Sequence, residues 1–120
     1  MIDSTEAVMV LARGSLADDS AHLAVRVALA LPLGGARAIL ALADTAAVVA
    51  VIDVDPGGRG RQLSRELDAL TNDEEVPMVV ERDSLERLGL VDSALRPGVV
   101  VVSRAELEQL CLVARSCLVI

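Results

Sequence analysis

The chain has 120 residues, 53% of them apolar but none aromatic, and a formal net charge of −7. That length supports one domain, residues 1–120, whose core is assembled from Ala, Val, Leu and Ile. All eleven basic residues are arginine, and with neither a basic stripe nor stacking rings the composition excludes direct nucleic-acid binding and attraction to an anionic membrane surface.

The start, MIDSTE, is acidic and lacks the basic region and apolar core of a signal peptide. Residues 21–52 are very apolar, but Arg26, Pro32, Arg37 and Asp44 interrupt them. No uncharged stretch there reaches the roughly 18 residues a membrane span needs. The expected location is cytoplasmic, with both cysteines reduced.

In chain order, strand and helix alternate. AVMVLA (Ala7–Ala12) is the first strand, and Arg13, Gly14 and Ser15 form the loop leaving its carboxyl end. Asp18, Asp19 or Ser20 is placed to cap a helix over 21–31. Only His22 and Arg26 give that helix a polar edge. A helix so apolar needs cover on more than its sheet side, which predicts a subunit interface there. Pro32, Gly34 and Gly35 end it, and RAILAL (Arg37–Leu42) starts the second strand.

Residues 44–55 leave two readings open. Val48, Val49, Val51, Ile52 and Val54 favour a strand by propensity, whereas 46–50 also fit a short helix behind the second strand. Pro56, Gly57, Gly58, Arg59 and Gly60 form a loop. That loop has neither a Gly-Lys-Ser/Thr ending nor a Gly-x-Gly-x-x-Gly pattern, so a turn is favoured over a phosphate cradle. Residues 61–70 form an amphipathic helix with Leu63, Leu67 and Leu70 inward and Arg65 and Asp68 outside. A charged turn at 72–75 follows.

The chain is organised around residues 76–90, VPMVVERDSLERLGL. Pro77 opens the apolar run Val76, Met78, Val79 and Val80, as expected for a parallel strand covered on both faces. Asp83 is predicted to accept from the free N–H groups of the next turn, with Glu86 as reciprocal partner. Gly89 supplies the left-handed residue that stops the helix. Ligands of open α/β sheets sit where strands end and helices begin. Glu81, Arg82, Asp83 and Ser84, facing Arg13, Gly14 and Ser15, therefore form the candidate binding crevice. Val99–Val102 reads as another buried strand. Ser103 and Glu106 make a capping box for a helix with Leu107, Leu110, Cys111 and Ala114 inward. Residues 116–120 close the chain as a strand. Together these elements predict a three-layer α/β/α fold around a mainly parallel sheet of about five strands.

Each candidate also has a plain structural role. Glu81 is expected to be solvated or to pair with an arginine such as Arg82, and Asp83 and Ser84 to act as a cap. Cys111 and Cys117, in CLVARSC, match no C-x-x-C or zinc spacing and read as inert core thiols. His22, between Asp18 and Arg26, reads as a surface histidine with no second histidine to complete a metal site. No nucleophile-elbow motif is present. Neither a cofactor nor a metal is expected.

Residues 80–90, VERDSLERLGL, resemble the signature after the central strand of DsrE/DsrF-like (DsrEFH/TusBCD) proteins, and within that family are most like the DsrF/TusC type. The first-strand loop, the Ala-rich first helix, the 99–106 strand-to-helix step and the short closing strand fall in family order. The resemblance thus spans nearly the whole chain, although its specific part is this segment. It implies a DsrEFH-like three-layer fold and persulfide traffic in tRNA thiolation or sulfur oxidation. It also implies homo-oligomers, trimeric or hexameric, or hetero-oligomers with DsrE/DsrH-like paralogues. Relay-competent members carry a cysteine where this chain has Glu81, and a carboxylate cannot hold a persulfide. DsrF-type members share an acidic residue there and support their partners rather than carry sulfur. The family's closing Arg-Gly pair is here Leu88 and Gly89, with Arg87 one position early. The expectation is a non-catalytic subunit that assembles through its apolar helix with itself or with a cysteine-bearing paralogue. The alternative is binding of a small anion or nucleotide-like ligand, or an enzyme, using the crevice at the strand ends.

Overall fold

Five short apolar runs hydrogen-bond side by side in a computed structural model that describes residues 2–14, 19–51, 60–72 and 75–120. The strands are β1 (Ala7–Ala12), β2 (Arg37–Leu42), β3 (Met78–Glu81), β4 (Val99–Val102) and β5 (Ser116–Val119). They lie in the order β4-β3-β2-β1-β5, every pair parallel. The register sets Ala7 beside Arg37, Met78 beside Leu40 and Val99, and Cys117 beside Met9. Parallel neighbours need crossover connections, and here helices supply them on both faces. The helices are α1 (Ser20–Leu33), α2 (Gly60–Asn72), α3 (Arg82–Arg87) and α4 (Arg104–Val113).

Alternation along the strands assigns each side chain to a face. Val10, Leu40, Leu42, Met78 and Val80 point to one side, where they pack with α1, α2 and Leu85 of α3. Met9, Ile39, Ala41 and Val79 point to the other, where Leu107 of α4 covers them. The expected three-layer α/β/α architecture is therefore present, with an all-parallel sheet.

The crowded face explains the apolar first helix. Ala21, Ala24, Val25 and Ala28 share one cluster with Leu63, Leu67 and Leu70 of α2. The second cover that α1 needs thus comes largely from α2 within the same chain, although Leu23 stays 54% exposed. His22 is not a surface residue as expected: it is 7% exposed, and its Nε2 lies 2.7 Å from Glu66 Oε2, tying α1 to α2. A buried imidazole requires such a partner, and one 44 positions away is invisible to local reading.

Helix ends differ from expectation in detail. Asp19 occupies the cap position of α1 at φ +64° without a side-chain cap bond; Asp18 lies outside the described residues. Pro32 sits inside the last turn rather than ending the helix, which stops at Leu33. There Gly35, at φ +85°, turns the chain and the Leu31 carbonyl accepts from Gly34 and Ala36. Residues Asp44–Ala50 take the helical alternative as a 3-10 helix with Ala46, Ala47, Val49 and Ala50 buried. Val51 forms an isolated bridge to Leu95. The remainder of 44–55 and the loop at 56–59 lie outside the described residues, whereas Gly60 already begins α2.

Of the two outer strands, β4, expected to be buried, is only partly so, and β5 is open to solvent. In β4 only Val102 is buried, and every residue of β5 is exposed. Both are edge strands with one sheet neighbour each. One helix, α4, also has to cover the whole width of their face.

Candidate functional site

No loop residue separates β3 from α3. Glu81, the last strand residue, is therefore also the backbone cap of the helix, at φ −74° and ψ 124°, with no side-chain cap bond. This overturns the predicted Asp83–Glu86 cap, because Asp83 already lies within the first turn. Its carbonyl instead accepts from Arg87 Nε at 3.4 Å. The far end behaves as expected. Gly89 is left-handed at φ +70°, the Gly89 N–H donates to the Glu86 carbonyl and the Leu90 N–H to that of Leu85, the paired bonds of a Schellman stop.

Strand parity sends the Glu81 side chain to the α4 face, two positions on from Val79. It is only 7% exposed there. The expected partner, Arg82, is exposed and does not pair with it; the partners are Ser84 and Arg87. Ser84 Oγ donates to Glu81 Oε1 at 2.7 Å, and Arg87 Nη2 approaches the same oxygen at 3.4 Å. Ser84 is no surface cap. It is fully buried, and its Oγ also accepts the Asp44 backbone N–H at 2.7 Å.

Asp44 joins this group to the first-strand loop. It is left-handed at φ +51°, a conformation Asp tolerates. Its Oδ2 takes Arg13 Nε at 2.6 Å and its Oδ1 takes Arg87 Nη2 at 3.1 Å. The Arg13 hydrogen bond, above all, holds the Asp44 carboxyl below its ordinary pKa. Partial desolvation opposes it, while the Arg13 charge and then Arg87 add to it. Thr45 Oγ1 donates to the Arg13 carbonyl at 3.1 Å. The ends of β1, β2 and β3 are thus joined by one polar network.

That network borders a cleft of about 510 Å³ between the sheet edge and α4. Arg13, Glu81, Arg104 and Glu108 give its polar lining, and Cys111 and Cys117 line it as well. The cysteines are not core thiols. Cys117 is exposed, Cys111 is half-buried, and their sulfurs are 3.7 Å apart. Cys117 reaches the α4 face because it lies beside Met9 on an edge strand that α4 leaves uncovered.

Of the residues anticipated from sequence, Arg13 and Glu81 come together at this cleft, and Ser84 stands behind Glu81. Gly14 follows Arg13 in the loop and is half-buried, and Ser15 lies outside the described residues. Arg82 and Asp83 are exposed and do not line the cleft. Sequence reading missed Asp44, Arg87 and the cysteine pair as site residues. Asp44 had a signal: it is the first polar residue after RAILALA, two positions past the end of β2. Among the described residues, no group of three or more metal-ligating side chains exists. No described helix is long and apolar enough to cross a membrane.

The fold closely matches a solved structure, the ychN protein from E. coli, with a TM-score of 0.83. The match covers 97% of this chain and 100% of that one at 24% sequence identity, which makes it a likeness of fold. No protein-family model and no curated protein matches the sequence.

Proposed function

We propose that this protein is a non-catalytic DsrF/TusC-like subunit or interaction module of a cytoplasmic sulfur relay, working beside a cysteine-bearing subunit of the same fold. The observation that carries this reading is Glu81. It holds the carboxyl end of β3, the neighbour of the middle strand β2, at the cleft, where relay-competent proteins of the resembled family need a thiolate. Its Oε1 is engaged by Ser84 and Arg87, so it serves as a fixed acceptor within the strand-end network. The 80–90 signature and the matching architecture support the assignment.

The proposed assembly surface is the α4 side; on α1, Ala21, Ala24, Val25 and Ala28 already pack with α2, and Leu23 and Leu33 are left exposed. Leu112 is 79% exposed, and Val113 of α4 and Val100 and Val119 of the two edge strands are exposed as well, apolar surface of the kind that marks association. The anion-binding alternative is weaker. Arg13 already holds Asp44 at 2.6 Å, and Arg104 lies 3.6 Å from Glu108.

Light scattering on the purified chain at micromolar concentration is expected to show a trimer, a hexamer or a defined complex with a cysteine-bearing paralogue. Leu112→Asp should break it while leaving the circular-dichroism spectrum unchanged. A clean monomer both alone and with the paralogue overturns the assembly role. In a persulfide-transfer assay, onward delivery of sulfur by the chain alone should stay at background. Sustained delivery through Cys111 or Cys117 overturns the non-catalytic role.

A further inference from the structure

We propose that Cys111 and Cys117 form a thiol–disulfide exchange centre that reacts with low-molecular-weight disulfides entering the cleft. The inference is independent of the sulfur-relay reading and rests on the placement of two thiols that no local motif joins. They come from different elements, the last turns of α4 and the edge strand β5, yet their sulfurs lie 3.7 Å apart, in S–H···S contact. A disulfide needs about 2.05 Å, so the pair has to close by about 1.7 Å. The required movement falls on β5, which pairs only with β1 and has every residue exposed. The cleft that both thiols line, about 510 Å³, suits a small molecule.

The two sulfurs have different surroundings and so different roles. Cys117 is the exposed one and makes the first attack. Burial, above all, pushes the Cys111 thiol up to about 11, and the charge and hydrogen bond of Cys117 add to this. Cys111 is therefore protonated at neutral pH and acts second. In the first step the Cys117 thiolate attacks one sulfur of the incoming disulfide. The external S–S bond breaks, one thiolate leaves and takes up a proton, and a mixed disulfide remains on Cys117. That product no longer carries the Cys117 charge or hydrogen bond that held the Cys111 proton. Cys111 then gives its proton to solvent and attacks the Cys117 sulfur, and the second external thiolate leaves and is protonated. The two protein thiols lose two electrons to become one disulfide, and the external disulfide gains them to become two thiols. The new bond pulls β5 toward α4 and narrows the cleft on the side opposite Glu81.

The test incubates the reduced full-length chain with oxidised and reduced glutathione at defined ratios, then alkylates and maps the thiols by mass spectrometry. The expected product is an internal Cys111–Cys117 disulfide, formed in one two-electron transition. Cys111→Ser should accumulate glutathione on Cys117, and Cys117→Ser should react at least tenfold more slowly than the unchanged chain. The unchanged protein alone decides the matter whether or not the variants fold. Glutathione on the cysteines independently with no internal bond, disulfides between chains only, or no reaction would each overturn the proposal.

Discussion

The two faces of the sheet are built to different standards of closure. One carries α1, the 3-10 helix, α2 and part of α3, and its buried cluster runs unbroken from Val10 through Leu67 to Leu85. Among the described residues the other carries α4 alone, with Leu107 the only buried residue of that helix. Clefts flank α4 on both sides, about 510 Å³ toward Glu81 and the cysteines and about 530 Å³ toward Val100 and the chain start. A closed face contributes stability, whereas an under-covered one leaves side chains free for chemistry or association. Here the chemistry-bearing residues collect on the under-covered face, where parity also directs Glu81 and Cys117.

The largest expected effect tests closure directly. Leu67→Ala on the crowded face should destabilise by about 3–5 kcal/mol, and Leu107→Ala beneath α4 by about 2 kcal/mol, because the looser site can collapse. Urea unfolding of both variants checks this, and the reverse order would break the comparison. Next comes Ser84→Ala, which strands the Asp44 N–H and leaves Glu81 Oε1 with only the longer Arg87 contact, and should cost about 1–3 kcal/mol in the same assay.

Helix caps give a smaller, sharper contrast. Ser103 accepts the Glu106 N–H at 3.1 Å, and the Glu106 carboxylate accepts the Ser103 N–H at 3.1 Å. Ser103→Ala should therefore lower stability by about 1 kcal/mol, while Asp83→Ala, at a cap that does not form, should change it by less than about 0.5 kcal/mol. The smallest effect concerns pH. Asp44 has a folded-state pKa below the ordinary value, so its contribution is complete above the unfolded value of about 3.9 and is lost as pH falls through the folded one. The stability difference between the unchanged chain and Asp44→Asn, measured by unfolding at stepped pH, should be constant from pH 7 to 5 and shrink below about pH 4.

Local signals were read well where neighbours in sequence are also neighbours in space. AVMVLA and RAILAL form strands with the expected bounds, and the Ser103–Glu106 capping box forms completely. Gly89 stops α3 as its conformational freedom predicts. The reading failed one step beyond that range. Asp83 loses its cap because β3 runs into α3 without a loop, and SCLV is exposed because strand order puts it at an edge. Propensity and capping depend on a few adjacent residues, whereas edge position depends on every crossover in the chain.

By itself the sequence determined the alternation of strands and helices, the layer type and the acid at the end of β3, since these follow from side-chain period and local backbone preference. The tertiary structure decided which carboxylates and arginines meet, that His22 is buried against Glu66, and that Cys111 and Cys117 meet in the lining of one cleft. Those outcomes depend on strand order and on how much surface one helix can cover, and neither is encoded within a few neighbouring residues.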